Sequence, residues 1–525
     1  MNSEFQSISF YDVGRFVYIQ FLFHSARGCP LSLHSSYSDL DIEQFSLSMF
    51  VVATNKQGKK PRFNNKPPVK AYRLLAEDQY IHNTNYDIAD EDAENFELEI
   101  INADDIQAFP GGISYSPQYI VCFSLNVSDL RELYFKIRVT LYSKSTNPLS
   151  GKPFICESFH TGLQIQNNST GSIIGVLLTD NQEIAGNINF DYLITYPWSK
   201  YPEYVQLPII DLRMNKKPLM IGHRGSGCSY GTNPSKYMEN TIDSFVVAGQ
   251  SGADFIELDV QLTRDEAVVV FHDFLTEAVL DLNLAKTDDR SRLEIPLRDL
   301  SYYQLKKNKF KHASLARHSD IEPRDTFSDN SIEQVEKIFP LLSEVMQNLP
   351  ASTGIDIEVK FPQQENNGTW ELEGSYFDRN TVVERVLEEV FENNKEIKRP
   401  IIFSSFDPGI CIMLRQKQKN YPVFFIMTGI ADRTKYMDIR SHHIRTAITF
   451  CLAEKLSGLC AEIDPISDEL QKVSRMVHSQ NLYLITWGTG NNSKEIIEKQ
   501  KKSYVDGIIF DRIYDFIQTP DTNTS

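Results

Sequence analysis

Two histidines, His223 and His272, and three acidic residues, Glu257, Asp259 and Glu358, lie within or just after short apolar runs. Pro218-Leu-Met-Ile-Gly222 leads into His223-Arg224-Gly225, and Phe255-Ile-Glu-Leu-Asp-Val260 carries Glu257 and Asp259. Val268-Val-Val-Phe271 leads into His272-Asp273, and Gly354-Ile-Asp-Ile-Glu358-Val-Lys360 adds a carboxylate and a cation. Imidazoles titrate near neutrality, so one can take a proton from an attacking oxygen while the other returns one to a leaving alkoxide. Arg224 and Lys360 can offset charge on phosphoryl oxygens. Glu257 and Asp259 stand two apart on one strand, so both side chains leave the same face. Carboxylates that close repel unless a cation lies between them, and hard oxygen donors favour Mg²⁺ or Ca²⁺. Taken singly, each residue is as much at home as a structural histidine or a solvated strand-end acid. The set suits metal-assisted cleavage of a phosphodiester.

Such groups can meet only if the elements that carry them share one rim. From Lys216 onward short apolar runs alternate with helical stretches. Expected strands are 219–222, 255–260, 268–272, 354–360, 400–405, 423–428, 459–463, 482–487 and 507–511, and expected helices include 242–250, 381–393 and 495–502. This alternation fits an α/β fold, a (β/α)₈ TIM barrel, whose working residues sit at the C-terminal ends of its strands. Nine runs compete for eight barrel positions, and the link from Val260 to Val268 is short for a helical crossover. The segment from Asp281 to Asp329 lacks a clear period and is expected to be an insertion or lid near the site.

The first part of the chain has the two-residue period of half-buried strands. Phe45, Leu47 and Met49 alternate with serines; Phe135, Ile137, Val139 and Leu141 alternate with Lys136, Arg138 and Thr140; Ile188, Phe190, Tyr192 and Ile194 repeat the pattern. Polar, turn-rich stretches such as Asn55 to Pro68 separate these runs. An antiparallel β-sandwich-like accessory domain is expected over 1–205, closed by Tyr196-Pro-Trp198, with the barrel over 216–518.

The chain has 525 residues, too many for one ordinary core. Its net charge of -17 argues against nucleic acid as a partner, because little here would replace the counterions around phosphates. An anionic small molecule remains compatible, since a bound metal inverts the local field. Seven scattered cysteines without C-x-x-C spacing point to free thiols in a reducing compartment. The N-terminus lacks a basic segment, and no stretch approaches the roughly 20 apolar residues of a membrane span. A cytoplasmic location without a transmembrane segment is the expectation.

The joint pattern His223-Arg-Gly, Glu239-Asn-Thr, Glu257-x-Asp259, His272-Asp and Glu358-x-Lys360 resembles the glycerophosphodiester phosphodiesterase family. Phe403-Ser-Ser-Phe-Asp407, Arg415-Gln-Lys-Gln418 and Asp511-Arg-Ile-Tyr-Asp515 resemble its cytosolic glycerophosphocholine phosphodiesterases. The likeness runs from Lys216 to Phe516. It implies a metal-dependent barrel releasing sn-glycerol 3-phosphate and, from glycerophosphocholine, choline. By motif, Glu257, Asp259 and Glu358 would hold the metal, Mg²⁺ or else Ca²⁺, and His223 and His272 would be the acid–base pair. Arg224 and Lys360 would hold the phosphate. The resemblance leaves open whether the glycerol 2-hydroxyl or water attacks.

Some residues have a second meaning. Asn240-Thr241 reads as the N-cap of the helix near Ile242. Trp487 could pack against glycerol, offer its face to a choline cation, or simply line the barrel mouth. The usual Trp-Thr-Val-Asn is here Trp487-Gly-Thr-Gly-Asn491, which leaves substrate preference open. The subgroup's N-terminal starch-binding module uses exposed tryptophans, yet Trp198 is the only one before the barrel, so weak or absent glucan binding is expected. Gly227-Cys-Ser229-Tyr-Gly231 matches G-x-S-x-G, but no helix follows at once as a nucleophile elbow requires. Gly225, Gly227 and Gly231 miss the dinucleotide spacing by one residue. Both fit better as a flexible loop on the phosphate side. Lysophospholipid hydrolysis and a non-catalytic scaffold are the competing functions.

Overall fold

The computed structural model describes residues 16–24, 29–51, 70–75, 100–101, 112–116, 119–143, 153–200, 217–230, 233–279, 292–308, 310–312, 338–428 and 436–516. The chain forms two compact units, one holding most of residues 1–201 and the other most of 202–525.

In the first unit, eleven strands make one antiparallel sheet. Val17–Phe23 lies between Tyr119–Val127 and Ile184–Thr195, and the path continues through Thr170–Leu178, Phe154–Thr161 and Tyr134–Ser143 to Leu40–Val51. The expected alternation holds: Phe45, Leu47, Met49, Phe135, Ile137, Val139, Leu141, Ile188, Phe190, Tyr192 and Ile194 are all buried in one core. Phe21 and Phe135 belong to strands four places apart in the sheet, yet their rings lie 4.6 Å apart. The sheet therefore curls until its inner face meets itself, which buries apolar side chains as two packed sheets would. Trp198 is 3% exposed, leaving no open indole face. The stretch from Asn55 to Pro68 lies outside the described residues.

The second unit is a closed barrel of eight parallel strands: β1 Leu219–Gly222, β2 Phe255–Leu262, β3 Gly354–Val359, β4 Ile401–Ser405, β5 Val423–Met427, β6 Gly458–Glu462, β7 Tyr483–Trp487 and β8 Gly507–Phe510. β1 pairs with both β2 and β8, which removes both sheet edges. The crossovers carry α1 Ile242–Gln250, α2 Leu342–Asn348, α3 Arg379–Asn393, α4 Pro408–Lys417, α5 Ile444–Ala453, α6 Leu470–Ser479 and α7 Lys494–Lys502. Ile221, Phe255, Ile402, Phe424, Ile426, Cys460, Ile485 and Ile509 pack together inside the barrel. This apolar layer is its floor.

Of the nine expected strands, 268–272 is the one outside the barrel. Val268–Val270 turns back antiparallel against Val260–Leu262, so the short link is a hairpin rather than a crossover. Thr263 makes the turn: its N–H donates to Ala267 O at 3.1 Å and its Oγ1 accepts from Ala267 N at 3.0 Å. The expected insertion is structured in part. Leu275–Val279, Arg292–Pro296 and Phe310–His312 form a three-stranded antiparallel sheet, while 280–291 and 313–337 lie outside the described residues. No helix among the described residues is long and apolar enough to cross a membrane.

Candidate active site

Register brings the acids together. β2 and β3 run parallel with Phe255 beside Gly354, Glu257 beside Asp356 and Asp259 beside Glu358. Because side chains alternate, Glu257 and Asp259 share the inward face with Phe255, two and four residues further along the strand. Gly354 leaves room for the Phe255 ring, since a Cβ there would lie 2.4 Å from Cε1. The carboxylates of Glu257, Asp259 and Glu358 approach within 4.8 Å of one another. At that separation two unit charges repel by about 3.5 kcal/mol at an effective dielectric constant near 20.

Burial and neighbouring charges shift the three carboxyls in different directions. Burial, then the charge of Asp259, pushes Glu257 well above the usual carboxylate range. Burial also raises Glu358, with Lys360 opposing and Asp259 adding to the rise. At Asp259 burial is outweighed by His272, Lys360 and Arg224, which hold the carboxyl below its ordinary value. Three neighbouring carboxylates, two buried and one half-buried, with two of them driven toward protonation, form a donor set that a hard divalent ion would complete. The residues present fit such an ion. Deeper in the barrel Asp356 is pushed up to about 7 by burial, although Ser404 Oγ donates to it at 2.7 Å.

The histidines reach this rim by different routes. His223 follows β1, and its N–H donates to Phe510 O at 3.1 Å, extending the β1–β8 ladder by one residue. The chain then turns sharply at Arg224 and Gly225, both with positive φ (48° and 92°). A side chain at Gly225 would meet Ser244 Oγ at 2.6 Å, so glycine is required there twice over. The turn aims Arg224 N–H at Glu257 Oε2, 2.8 Å away. His272 follows the hairpin strand. Its turn is held by the Gln261 carboxamide, which donates to the carbonyls of Phe271, His272 and Asp273 at 2.8, 3.1 and 2.9 Å.

Each imidazole has a carboxylate on Nδ1. His223 pairs with Asp511 and His272 with Asp273, both at 2.8 Å. Their electrostatics differ in sign. Burial works against a charged His223, but Cys228 and Asp511 outweigh it and hold its pKa well above the ordinary value. Burial keeps the Cys228 thiol protonated, so the lasting negative charge is that of Asp511. Burial lowers His272, and the cations Arg224 and Lys360 lower it further, to about 4. The two surroundings thus shift the imidazoles in opposite directions, His223 toward its charged form and His272 toward its neutral one.

The cations stand among the same groups. Lys360 Nζ is 3.1 Å from Glu358 Oε1 and 3.8 Å from Asp259 Oδ1. Arg224 Nη1 donates to Glu239 Oε1 at 2.8 Å, while Nε is buried without a hydrogen-bond partner and lies 3.6 Å from Asp259 Oδ2. An unsatisfied guanidinium N–H among charged groups is suited to an anionic ligand. Trp487 is half-buried at the end of β7. Its Nε1 donates to Met427 O at 3.2 Å, and its ring lies edge-on to Phe406 with centroids 5.5 Å apart. Phe406 also lies 6.0 Å from Lys360 Nζ and 6.1 Å from the Tyr436 ring, linking Trp487 to the charged groups by an aromatic wall.

Three residues do more than the sequence reading assigns them. Thr241 caps α1 as expected, its side chain accepting from Ser244 N. Asn240 does not cap: at φ 54° it turns inward, and Nδ2 donates to Asp259 Oδ2 at 2.9 Å. Glu239, 1% exposed, holds Arg224 with one oxygen and accepts from Ser229 N with the other at 2.7 Å. Asp511 holds His223. Of the loop expected to be flexible, the part before Gly231 is held by hydrogen bonds: Ser226 Oγ lies 2.9 Å from Ser244 Oγ, and Cys228 N donates to Asp511 Oδ1 at 2.9 Å; Gly231 lies outside the described residues. Ser229, the centre of the G-x-S-x-G match, is buried with its Oγ accepting from Glu239 N at 2.7 Å.

Residues 223–514, more than half of the chain, match the family model described as the glycerophosphoryl diester phosphodiesterase family. The chain is 33% identical over 345 residues to a Rattus norvegicus protein named glycerophosphocholine phosphodiesterase, a match covering 65% of this chain and 51% of the relative. A Caenorhabditis elegans protein named as a putative glycerophosphocholine phosphodiesterase homologue is 31% identical over 447 residues, covering 80% and 62% respectively. The chain thus spans about half the length of its mammalian relatives. Among solved structures, an Oleispira antarctica phosphodiesterase in complex with sn-glycerol-3-phosphate is 18% identical, covering 57% of this chain and 95% of its own, with a TM-score of 0.38. The matched residues span both histidines, all three carboxylates and Lys360, so by its sequence this chain belongs to the glycerophosphoryl diester phosphodiesterase family.

Proposed function

We propose that the barrel, residues 216–518, hydrolyses glycerophosphodiesters in the cytoplasm, with sn-glycero-3-phosphocholine as preferred substrate and sn-glycerol 3-phosphate and choline as products. The observation that carries this reading is the pair of imidazoles whose surroundings push their pKa values apart, beside a cluster of three carboxylates. The opposite shifts support a division of roles. His272, neutral, takes the proton of the attacking hydroxyl, whether from water or the glycerol 2-position. His223, protonated, gives its proton to the departing choline oxygen. Asp511 and Asp273 fix the tautomers by occupying the two Nδ1 atoms, leaving both Nε2 atoms for transfer.

Glu257, Asp259 and Glu358 would hold the divalent ion, Mg²⁺ in this reading with Ca²⁺ as the alternative, and when bound it supplies positive charge that stabilises the phosphoryl oxygens. Lys360 and the free Nε–H of Arg224 bind the same oxygens from the protein side. Asn240 orients Asp259 through its carboxamide. The wall of Trp487, Phe406 and Tyr436 suits a quaternary ammonium, which aromatic faces attract. The relatives' names support choline as the headgroup. Free thiols at all seven cysteines support a reducing compartment.

The test is a substrate panel with the purified chain in Mg²⁺. Glycerophosphocholine is expected to turn over at least about tenfold faster, by kcat/KM, than lysophosphatidylcholine, a gap of about 1.4 kcal/mol. Preference for the lysolipid would replace the substrate, and failure to cleave any phosphodiester would leave a scaffold.

A further inference from the structure

Beside the tricarboxylate stands a second set of donors of different chemistry. His223 Nδ1, Cys228 Sγ and a carboxylate oxygen of Asp511 lie within 4.8 Å of one another, all three half-buried. Sγ is 3.4 Å from Nδ1, and Nδ1 is 2.8 Å from Asp511 Oδ1. Thiolate, imidazole and carboxylate together select Zn²⁺-like ions, whereas the all-oxygen set selects hard ones. With Zn–N and Zn–O near 2.0 Å and Zn–S near 2.3 Å, a tetrahedral ion spaces S from N by about 3.5 Å and N from O by about 3.3 Å. The sulfur and nitrogen already stand at that spacing. The nitrogen and oxygen need to part by about half an ångström, which breaks the hydrogen bond that now joins them.

The fold holds these donors in place. β1 and β8 are neighbours with Gly222 beside Phe510, which sets His223 and Asp511 side by side. Asn492 fixes Asp511 by donating to Oδ2 at 2.8 Å and accepting from its N–H at 2.7 Å, leaving Oδ1 toward the cluster. Ser235 N donates to Cys228 O at 2.8 Å, and Gly227 packs where a Cβ would lie 2.7 Å from Arg512 N. These are three ligands on two strand ends and one pinned loop, with a fourth position for water.

We propose that His223, Cys228 and Asp511 form a site for Zn²⁺ or a similar thiophilic cation, separate from the tricarboxylate, whose occupation switches the enzyme off. On binding, Cys228 loses its thiol proton and His223 its Nδ1 proton, both to solvent; the freed Nδ1 lone pair goes to the ion, and one proton stays on Nε2. That neutral, metal-bound ring has no labile proton for a leaving alkoxide, because releasing it would leave an imidazolate. Turnover stops while Glu257, Asp259 and Glu358 remain as they were. The inhibition rests on the role proposed above for His223; occupation of the site does not.

The test adds Co²⁺ or Zn²⁺ to the purified full chain in excess Mg²⁺. One equivalent of Co²⁺ is expected to give a thiolate-to-cobalt charge-transfer band that Zn²⁺ abolishes, and Zn²⁺ is expected to inhibit choline release over the same range. Cys228→Ser, checked for folding by circular dichroism, should lack the band and need at least about tenfold more Zn²⁺ for half-inhibition of its own basal turnover. Cys228→Ala should behave alike, and Cys29→Ser, which removes the exposed thiol, should change nothing. A band that survives in the Cys228 variants, or unchanged Zn²⁺ sensitivity in them, would overturn the site. A band without inhibition would overturn the switch. If the chain cleaves no phosphodiester, the Co²⁺ band still decides the site alone.

Discussion

At the scale of single residues, the two histidines are alike in type and opposite in surroundings. His272 is exposed to two cations, and His223 leans on an acid. Replacing either by alanine is expected to lower kcat by about 10²–10⁴-fold, the usual share of a proton-transferring group. The pH profile of kcat/KM should rise on an acid limb near His272's lowered pKa of about 4 and fall on an alkaline limb above 6.5, as His223 gives up its proton. The sign can be checked with Asp511→Asn. Removing that carboxylate leaves burial to dominate, so the alkaline limb should move toward acid while the acid limb stays. A uniform loss of rate with both limbs in place would mean that Asp511 only shapes the fold. The His223 and His272 motifs were legible because each histidine ends an apolar run. Asp511 was visible only as part of a family-like stretch, since its partner is 288 residues away and an acid after a strand has no local mark. The cap expected at Asn240-Thr241 falls on Thr241, and the partner of Asn240 was hidden for the same reason. Cap chemistry is local, whereas its actual partner, Asp259, becomes a neighbour only when β1 and β2 pair.

At the scale of elements, the tricarboxylate depends on the β2–β3 register, because a slip of one residue would turn Glu358 out of the barrel. Gly354 and Phe255 fix that register at the floor. Gly354→Val is expected to cost about 1–3 kcal/mol by overpacking against the ring, read as a lower urea midpoint, and Phe255→Leu in the same chain should recover part of it. The barrel strands were readable because a strand buried on both faces is a continuous apolar run. By that criterion Val268–Val270 looks like another barrel strand. What excludes it is the Thr263–Ala267 turn, a hairpin signal without the Asn-Gly or Asp-Gly of the commonest kind. The accessory unit's alternation was equally plain. That its strands join in one curled sheet was not, because pattern shows which face is buried and not which strands are neighbours.

At the scale of the whole molecule, folding brings like charges together, and that makes stability depend on pH and metal. Glu257 and Glu358 are raised above 4.5, and Asp356 is raised from 3.8 to about 7. For an acid raised by folding, the unfolded chain ionises first, so stability falls as pH climbs from the unfolded pKa through the folded one. In chelator the thermal midpoint should therefore be lower at pH 7.5 than at pH 5.5. Asp259, lowered by folding, acts only below 3.8; His272 and His160, lowered to about 4, oppose the trend up to 6.5, and the raised His223 and the three raised acids outweigh them. Adding Mg²⁺ at pH 7.5 should raise the midpoint by mass action, and Glu257→Gln should largely abolish that rise. A midpoint unaffected by Mg²⁺ in wild type would place the ion elsewhere.

The most direct measurement of the central claim is choline release from glycerophosphocholine by the purified chain, first treated with chelator and then resupplied with Mg²⁺, in wild type and in Glu257→Gln. Wild type is expected to fall to background in chelator and recover on adding Mg²⁺, while Glu257→Gln recovers little at the same concentration. Full choline release in chelator, or equal recovery in both proteins, would contradict it.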